Sequence, residues 1–266
     1  MNDAPGNRGR VADPIPPEDR GPVGDRGPAQ GRGPVGDACR ALATRGSYVM
    51  PAAALLRCLG VDGEGWASFA AHWEDLAPDA YAAERGTRRL RRYGHFSLSR
   101  TGEITSLPHL AFVQPEQSNP LYVDVSRNFE PLTAAFRSEP LLTALIRALG
   151  EVATSLADPD QWSVKVHPFR VTAEADDAGD PTPEGRHHDG VALVTSLLIG
   201  RENAVGGEST VYGLDGAELM STTLSEPGTL LLGDDRATLH GVSPIRPLDA
   251  ARPARRDVLV TTLTPG

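Results

Sequence analysis

Three polar side chains in the C-terminal half of the protein are of types that bind metal ions. A single residue separates His187 from Asp189, and His240 follows later, beside short acidic and glycine-containing turns. In an extended segment, residues i and i+2 point to the same side. His187 and Asp189 can therefore present an imidazole and a carboxylate to one point, while His188 points elsewhere. His240, on a distant strand, is the natural third ligand.

This set of ligands indicates a particular kind of metal chemistry. Two histidines and one carboxylate occupy one face of an octahedron and leave three positions open, the arrangement that non-haem Fe(II) oxygenases use to bind a co-substrate and dioxygen. A His-x-Asp triplet is a weak signal by itself, so the interpretation depends on its context. We predict that His187, Asp189 and His240 hold Fe(II) and are the catalytic residues.

An arginine at the start of the last predicted strand supplies part of that context. Arg256, Val258 and Val260 share one face by strand alternation, whereas Arg255 points outward. If Arg256 faces the interior, its guanidinium can make a bidentate salt bridge with the distal carboxylate of 2-oxoglutarate while the 2-oxo acid end chelates iron. We therefore predict that Arg256 binds this co-substrate.

Two further groups of basic residues are candidates for substrate binding. His167 and Arg170 lie in a predicted strand that precedes the metal-binding triplet, and we assign both to the substrate site, with a structural role as the alternative. Residues 88–93 are interpreted as a strand with alternating exposed and inward arginines, because one basic hexapeptide in an acidic protein is weak evidence for nucleic-acid binding. If this strand enters the active site, one of its arginines could hold a substrate carboxylate.

The elements that must position these residues fall into a helical part and a β-rich part. Helical patterns begin near Ala38, at Pro51 and at Pro140, and a further helix is predicted over residues 66–76. From Trp162 onward the sequence pattern changes to short runs of strand-forming residues, separated by turns rich in Gly, Asp and Pro. These runs cover residues 163–171, 191–199, 209–212, 219–224, 229–232 and 257–263.

Many short strands at close spacing favour an antiparallel sandwich or barrel over βαβ units, and neither a dinucleotide-binding fingerprint nor a P-loop lies among them. We predict an α+β fold with a mainly β core, a double-stranded β-helix (jelly roll) with N-terminal helices packed on it. Residues 38–266 should form a single domain, with a helical layer over residues 38–160 and metal-binding jelly-roll strands over residues 161–266.

Residues 1–37 differ in composition from the rest of the protein. They are dominated by Gly, Pro, Arg and Asp, and the unit Arg-Gly-Pro-Val-Gly-Asp occurs twice, at residues 20–25 and 32–37. Such a segment has no apolar periodicity and cannot bury enough surface to offset its ordering entropy. We therefore expect a disordered tail.

The overall composition restricts the classes of partner. A formal net charge of -9 argues against nucleic acid and anionic membranes as partners, since both require a basic surface. The sequence has no apolar run long enough for a transmembrane helix or a secretory signal, so we expect a cytoplasmic protein with a small-molecule substrate. Two cysteines are too few for a disulfide framework or a thiolate metal site.

Several segments resemble a known enzyme family. Residues 183–191, 206–212, 240–245 and 256–260 are similar to the 2-oxoglutarate/Fe(II) dioxygenases related to bacterial L-isoleucine 4-hydroxylase, and the similarity extends over residues 81–264. Carried over by position, the resemblance implies iron ligation by His187, Asp189 and His240 and co-substrate binding by Arg256, in agreement with the interpretation of the residues themselves. It also implies Fe(II), 2-oxoglutarate and O2 as the reaction partners.

The resemblance further implies a substrate class, a free aliphatic L-amino acid such as isoleucine, leucine or valine. Oxidation, most simply hydroxylation, of its side chain would give succinate and CO2 as co-products. Such a substrate needs an apolar pocket and charged groups for its carboxylate and ammonium, for which Arg170 and nearby acidic residues are candidates. A carrier-bound or peptidyl amino acid is the alternative substrate. A cupin-like metal-binding protein that does not use 2-oxoglutarate is the alternative class, and it would not need Arg256.

Overall fold

The computed structural model of the protein describes residues 33–84, 86–110 and 127–266. All helices among these residues lie before residue 155. They are α1 (Pro34–Arg45), α2 (Ala52–Leu59), α3 (Gly63–Ala71) with a following 3-10 turn (His72–Asp75), the short α4 (Ala80–Ala83) and α5 (Ala134–Arg137), and the long α6 (Pro140–Thr154). The predicted helix starts at Pro51 and Pro140 are thus confirmed, whereas the helix predicted to begin near Ala38 begins at Pro34. None of the helices among the described residues has the length and hydropathy that crossing a bilayer requires.

The strands at the centre of the large sheet are long, and those at its edges are short. They are β1 (Ser47–Met50), β2 (Ala77–Pro78), β3 (Arg89–Arg91), β4 (Gly94–Ser99), β5 (Ile104–Ser106), β6 (Gln161–Ala173), β7 (Leu193–Glu202), β8 (Ala204–Gly206), β9 (Glu208–Gly213), β10 (Glu218–Thr223), β11 (Leu230–Asp234), β12 (Thr238–Val242), β13 (Ile245–Pro247) and β14 (Ala254–Pro265). All six β-type runs found in the sequence are strands here.

The strands form a large sheet opposite two small ones. The large sheet has the order β1-β11-β7-β14-β6-β3-β2, with β4 also paired to β6 and β5 to β4, while β10-β9-β12 and β13-β8 form the small sheets. Every pairing between named strands is antiparallel. Apolar residues of β7, β9, β11 and β14 pack together between the large sheet and the three-stranded sheet β10-β9-β12. This two-layer antiparallel core with helices on one side is the predicted jelly roll.

Strand alternation decides which side chains of the large sheet face the helices and which face the interior. On β6, Val164 and Val166 are fully buried in the core cluster beneath the helices. On β14, Leu259 and Leu263 belong to the same cluster. Their neighbours one position away point the other way and line a cavity between the sheets. The longest helix, α6, covers the helical side with Leu145 and Leu149, as its apolar period predicts.

The predicted boundary of the helical layer is wrong in one respect, because residues 38–160 also contribute five strands. β1 pairs with β11, and both β3 and β4 pair with β6. The five strands have two to six residues each, so each carries little periodicity of its own. They form because the exposed edges of β6 and β11 offer unpaired backbone groups, which is a long-range effect.

The folded region begins before the predicted residue 38. Helix α1 starts at Pro34, after Gly33 with φ 112°, and Gly36 is already buried. The second copy of the repeated unit therefore belongs mostly to a helix. The first copy, like all of residues 1–32, lies outside the described residues.

We predict that deleting residues 1–32 leaves thermal stability and activity unchanged, because that stretch has no apolar face to pack. Extending the deletion through Gly36 should lower the melting temperature, since it removes the first turn of α1, including the Asp37 N–H bond to the Gly33 carbonyl. Thermal unfolding of the two truncated proteins tests this. A lower melting temperature of the shorter deletion would show that the tail packs on the domain.

Candidate active site

The backbone itself brings the predicted metal ligands together. His187, in the segment before β7, forms an isolated antiparallel bridge with His240 on β12, with N···O distances of 3.0 and 2.8 Å. Their imidazole centroids are 4.4 Å apart. The Asp189 carboxylate completes the group, with its oxygens 3.9 Å from His187 Nε2 and 3.8 Å from His240 Nε2. Ligand atoms of all three residues lie within 4.8 Å of one another, so one ion can contact all of them.

The protonation of the two imidazoles suits metal binding. The Nδ1 atom of His187 is 3.0 Å from the Gly185 carbonyl oxygen. A carbonyl only accepts, so Nδ1 carries the proton, and in the neutral ring Nε2 presents its lone pair to the centre. Burial lowers the pKa of His240 to about 4, assisted by the nearby His187 and His188 and opposed by Asp189. His240 is therefore neutral at neutral pH, as a metal ligand must be.

A third carboxylate lies behind this group. The Asp235 side chain is fully buried and accepts hydrogen bonds from the backbone N–H groups of Asp189, at 2.9 and 3.1 Å, and of Val191, at 3.0 Å. Burial, together with the nearby Asp189 charge, raises the pKa of Asp235 to about 6. Asp235 thus holds the loop that carries the Asp189 carboxylate.

The three candidate ligands border a cavity of about 260 Å³ between the two layers. Arg256 lines this cavity together with Val258 and Val260, so the predicted inward face of β14 is confirmed. Arg255 points outward and pairs with Glu202 at 3.1 Å.

The surroundings of Arg256 fit an anionic co-substrate. Its side chain is 2% exposed, yet its Nε and Nη2 have no hydrogen-bond partner among the described residues, and neither has the buried Ser209 hydroxyl on the same cavity. Burial and the neighbouring Arg201 lower the pKa of Arg256 to about 10, so it remains a cation at neutral pH. Gly207, with φ 66°, leaves room beside it, because a Cβ atom there would lie 3.2 Å from Arg256 Cδ. A buried cation with free donors is the expected receptor for a carboxylate.

One wall of the cavity is strongly cationic. Arg89 and Arg91 on β3 and Arg127 are buried and line it, with the half-buried Lys165 beside them. The inward arginines predicted within residues 88–93 are thus confirmed as cavity residues. Arg89 is held by the buried Asp79 at 2.8 Å.

His167 belongs to the same wall. Its Nδ1 lies 2.7 Å from Nη2 of Arg91, and because a guanidinium only donates, Nδ1 is unprotonated. Burial and the surrounding cations, first Arg91, hold the pKa of His167 well below its ordinary value. His167 therefore lines the cavity as a neutral acceptor, and its contact with the substrate stays a prediction.

Arg170 is not a cavity residue, which contradicts its assignment to the substrate site. It lies an odd number of positions from His167 on β6 and so faces the opposite side of the sheet. Its guanidinium makes a bidentate bond to Asp257, with both distances 2.8 Å, and a further bond to Glu74, also 2.8 Å. These partners satisfy the charge of Arg170 and give it a structural role.

We predict that Arg170→Met lowers the free energy of unfolding by about 3 kcal/mol, because it leaves the buried Asp257 carboxylate unpaired. The KM for the organic substrate should stay unchanged. Urea unfolding and steady-state kinetics of the same variant test both statements. Unaltered stability with a raised substrate KM would return Arg170 to the substrate site.

Several residues that line the cavity or lie behind the metal group escaped prediction from the sequence. Lys165 could have been found, because it shares the face of His167 at a spacing of two. Glu184 lines the cavity next to the metal group, with Oε1 3.4 Å from His187 Nε2. No local pattern points to Asp235 or Arg127, since the contacts of Asp235 join segments more than forty residues apart.

Comparisons with known proteins agree with this geometry. Residues 70–262 match the model of a family described as 2OG-Fe dioxygenase. A curated relative, 3(1)-hydroxy-L-isoleucine 4-dioxygenase of Pantoea ananatis strain AJ13355, is 25% identical over 195 residues, which span 71% of this protein and 77% of the relative.

Solved structures show the same fold. A bsmA homolog from Methylobium petroleophilum PM1 is 36% identical with a TM-score of 0.80, over 87% of this protein and 93% of that one. A protein from Bacillus thuringiensis named IDO is 17% identical with a TM-score of 0.70, over 86% of this protein and 95% of that one.

The family match spans both layers of the core and includes the metal group and Arg256, so it decides against a cupin-like protein that does not use 2-oxoglutarate. The protein belongs to the 2OG-Fe dioxygenase family and is an enzyme that uses Fe(II), 2-oxoglutarate and O2.

Proposed function

We propose that this dioxygenase hydroxylates an unactivated C–H bond in the side chain of a free aliphatic L-amino acid. The observation that carries the proposal is the composition of the cavity beside His187, Asp189 and His240, which combines an apolar wall, a cationic wall and a carboxylate outside the metal group. An aliphatic zwitterion needs these three surfaces together.

Within this proposal, His187, Asp189 and His240 hold the iron, and Arg256 binds the distal carboxylate of 2-oxoglutarate. When bound, iron and 2-oxoglutarate supply the oxidation of the C–H bond by dioxygen, with succinate and CO2 as co-products. The donor set supports this assignment, since two imidazoles and a carboxylate suit Fe(II) and leave positions for other ligands. The buried donors of Arg256, which bond to none of the described residues, support the second part.

The apolar wall would choose which carbon lies nearest the metal. Val191, Val194, Leu231, Val258 and Val260 line the cavity, and their side chains are entirely apolar. Branched aliphatic side chains fit such a surface because contact removes apolar area from water without requiring a polar partner. Position rather than intrinsic reactivity would then decide which C–H bond reacts.

The charged groups would hold the two ends of the amino acid. Arg89, Arg91 and Arg127 offer guanidinium forks that match a carboxylate. Phe129 helps to fix this wall, because its ring centroid lies 3.5 Å from Cζ of Arg91. For the ammonium, Glu184 is the one carboxylate besides Asp189 that lines the cavity among the described residues. The name of the Pantoea relative, which refers to a hydroxylated L-isoleucine, supports the same class of substrate.

A comparison of free and capped substrates tests the proposal. We expect succinate formation and a gain of one oxygen with L-isoleucine, L-leucine or L-valine, and little or none with their N-acetyl amides. Capping removes both charges of the amino acid, so the buried charged groups of the cavity would lose the contacts that offset their desolvation. Turnover confined to capped or carrier-linked forms would overturn the proposed substrate and favour a peptidyl or carrier-bound amino acid.

A variant of Glu184 sharpens the same experiment. Glu184→Gln keeps the size of the side chain but removes its charge, so the KM for the free amino acid should rise roughly tenfold, within the range for bonds to charged groups. The KM for 2-oxoglutarate should not change. An equal rise for both substrates would indicate general damage to the site instead of the loss of an ammonium contact.

A further inference from the structure

We propose that Asp235 is a positioning residue that fixes the tautomer of His240 and thereby prepares it to bind iron. The inference rests on the proposed iron site. It concerns a buried side chain that belongs to neither the ligand set nor the cavity lining.

The two histidines differ in the hydrogen bonding of Nδ1, the ring nitrogen that does not face the metal group. For Nε2 to bind a metal, Nδ1 must carry the proton and needs an acceptor. His187 has such an acceptor in the Gly185 carbonyl, 3.0 Å away. His240 Nδ1 is buried and has no hydrogen-bond partner among the described residues. A nearby acceptor is therefore needed to decide which nitrogen of His240 holds the proton.

Asp235 is that acceptor. Its Oδ1 lies 3.7 Å from His240 Nδ1, slightly beyond hydrogen-bond distance, so a small rotation of the His240 ring closes the contact. The carboxylate itself cannot turn away, because the N–H groups of Asp189 and Val191 already hold both of its oxygens. One fixed residue therefore contacts the backbone of one proposed ligand and the ring of another, an arrangement in which a carboxylate orients a metal-bound histidine.

The variant Asp235→Asn tests this role sharply, because the surrounding donors determine the orientation of the new amide. The N–H groups of Asp189 and Val191 require an acceptor where Oδ2 now lies, so the amide oxygen should occupy that position. The amide NH2 then faces His240 Nδ1 and donates to it. This contact favours the other tautomer, with the proton on Nε2. A protonated Nε2 has no lone pair and cannot bind a metal.

Two measurements follow the effect without using activity. In the metal-free protein, 15N chemical shifts of the imidazoles report the His240 tautomer, with His240→Asn identifying its signal. We expect Nδ1–H in the wild type and Nε2–H in Asp235→Asn. Titration with Co(II), followed by its visible absorption, should show a roughly 10- to 100-fold weaker affinity in Asp235→Asn. This is the typical loss when a residue that hydrogen-bonds a metal ligand is replaced.

A matched control lies next to it in the sequence. Asp234 is also a carboxylate at the end of β11, but it pairs with Arg236 at 2.9 Å, away from the metal group. Asp234→Asn should therefore bind Co(II) like the wild type. Circular dichroism and thermal unfolding establish that both variants are folded.

Each outcome decides the inference. A wild-type Nε2–H tautomer would overturn it even if the variant failed to fold, and so would unchanged Co(II) affinity in a folded Asp235→Asn. Weaker affinity with an unchanged tautomer would overturn it as well, since Asp235 would then act only on the loop. A wild-type protein that does not bind Co(II) would overturn the iron site and the role of Asp235 together.

Discussion

Replacing His187, Asp189 or His240 by alanine is expected to reduce turnover at least about 100-fold, while the protein stays folded. Replacing a residue that only hydrogen-bonds a metal ligand already lowers metal affinity or activity roughly 10- to 100-fold, so the loss of a ligand should have a larger effect. None of the three side chains belongs to the hydrophobic core clusters, and the His187–His240 bridge is made by backbone atoms that alanine retains. Succinate formation, iron content and thermal unfolding of each purified variant test this prediction.

His188 provides the control for this series. It lies between His187 and Asp189 but does not line the cavity. His188→Ala should therefore keep its iron and most of its activity. Full activity in any of the three ligand variants would remove that residue from the iron site, whereas a loss in all four would point to damage of the whole segment.

Arg256→Ala is expected to raise the KM for 2-oxoglutarate roughly 10- to 150-fold, with iron binding preserved. The substitution deletes a charge-assisted, bidentate contact worth about 1.5–3 kcal/mol, and each 1.4 kcal/mol corresponds to about a factor of ten. The effect should be confined to 2-oxoglutarate binding, because Nε and Nη2 of Arg256 donate no hydrogen bond to the described residues. Steady-state kinetics at varied 2-oxoglutarate and a Co(II) titration measure the two quantities separately.

The adjacent arginine is the natural control for this prediction. Arg255 lies on the other face of β14, is 43% exposed and pairs with Glu202. Arg255→Ala should leave the 2-oxoglutarate dependence unchanged. If Arg256→Ala left it unchanged and Arg255→Ala raised it, the co-substrate assignment would move to Arg255.

Strand alternation explains both the correct and the wrong assignments of basic residues. It placed Arg256 in the cavity and Arg255 outside, because a period of two needs only the knowledge that the segment is a strand. The same rule separates His167 from Arg170, three positions apart on β6, and would have assigned only one of them to the cavity. Arg170 instead meets Asp257 and Glu74, which come from distant parts of the sequence.

The amino-acid sequence alone determined the β-rich fold class, the starts of α2 and α6, the two-residue spacing of His187 and Asp189, and the inward face of Arg256. Each of these depends on local geometry: the period of a strand, the rigidity of proline or the types of the side chains. Only the tertiary structure decided that β3 and β4 complete the large sheet and that Arg89, Arg91 and Arg127 form one wall. It alone also decided that Asp235 lies behind the metal group. These features depend on backbone pairing and buried contacts between residues far apart in the sequence, which no local pattern encodes.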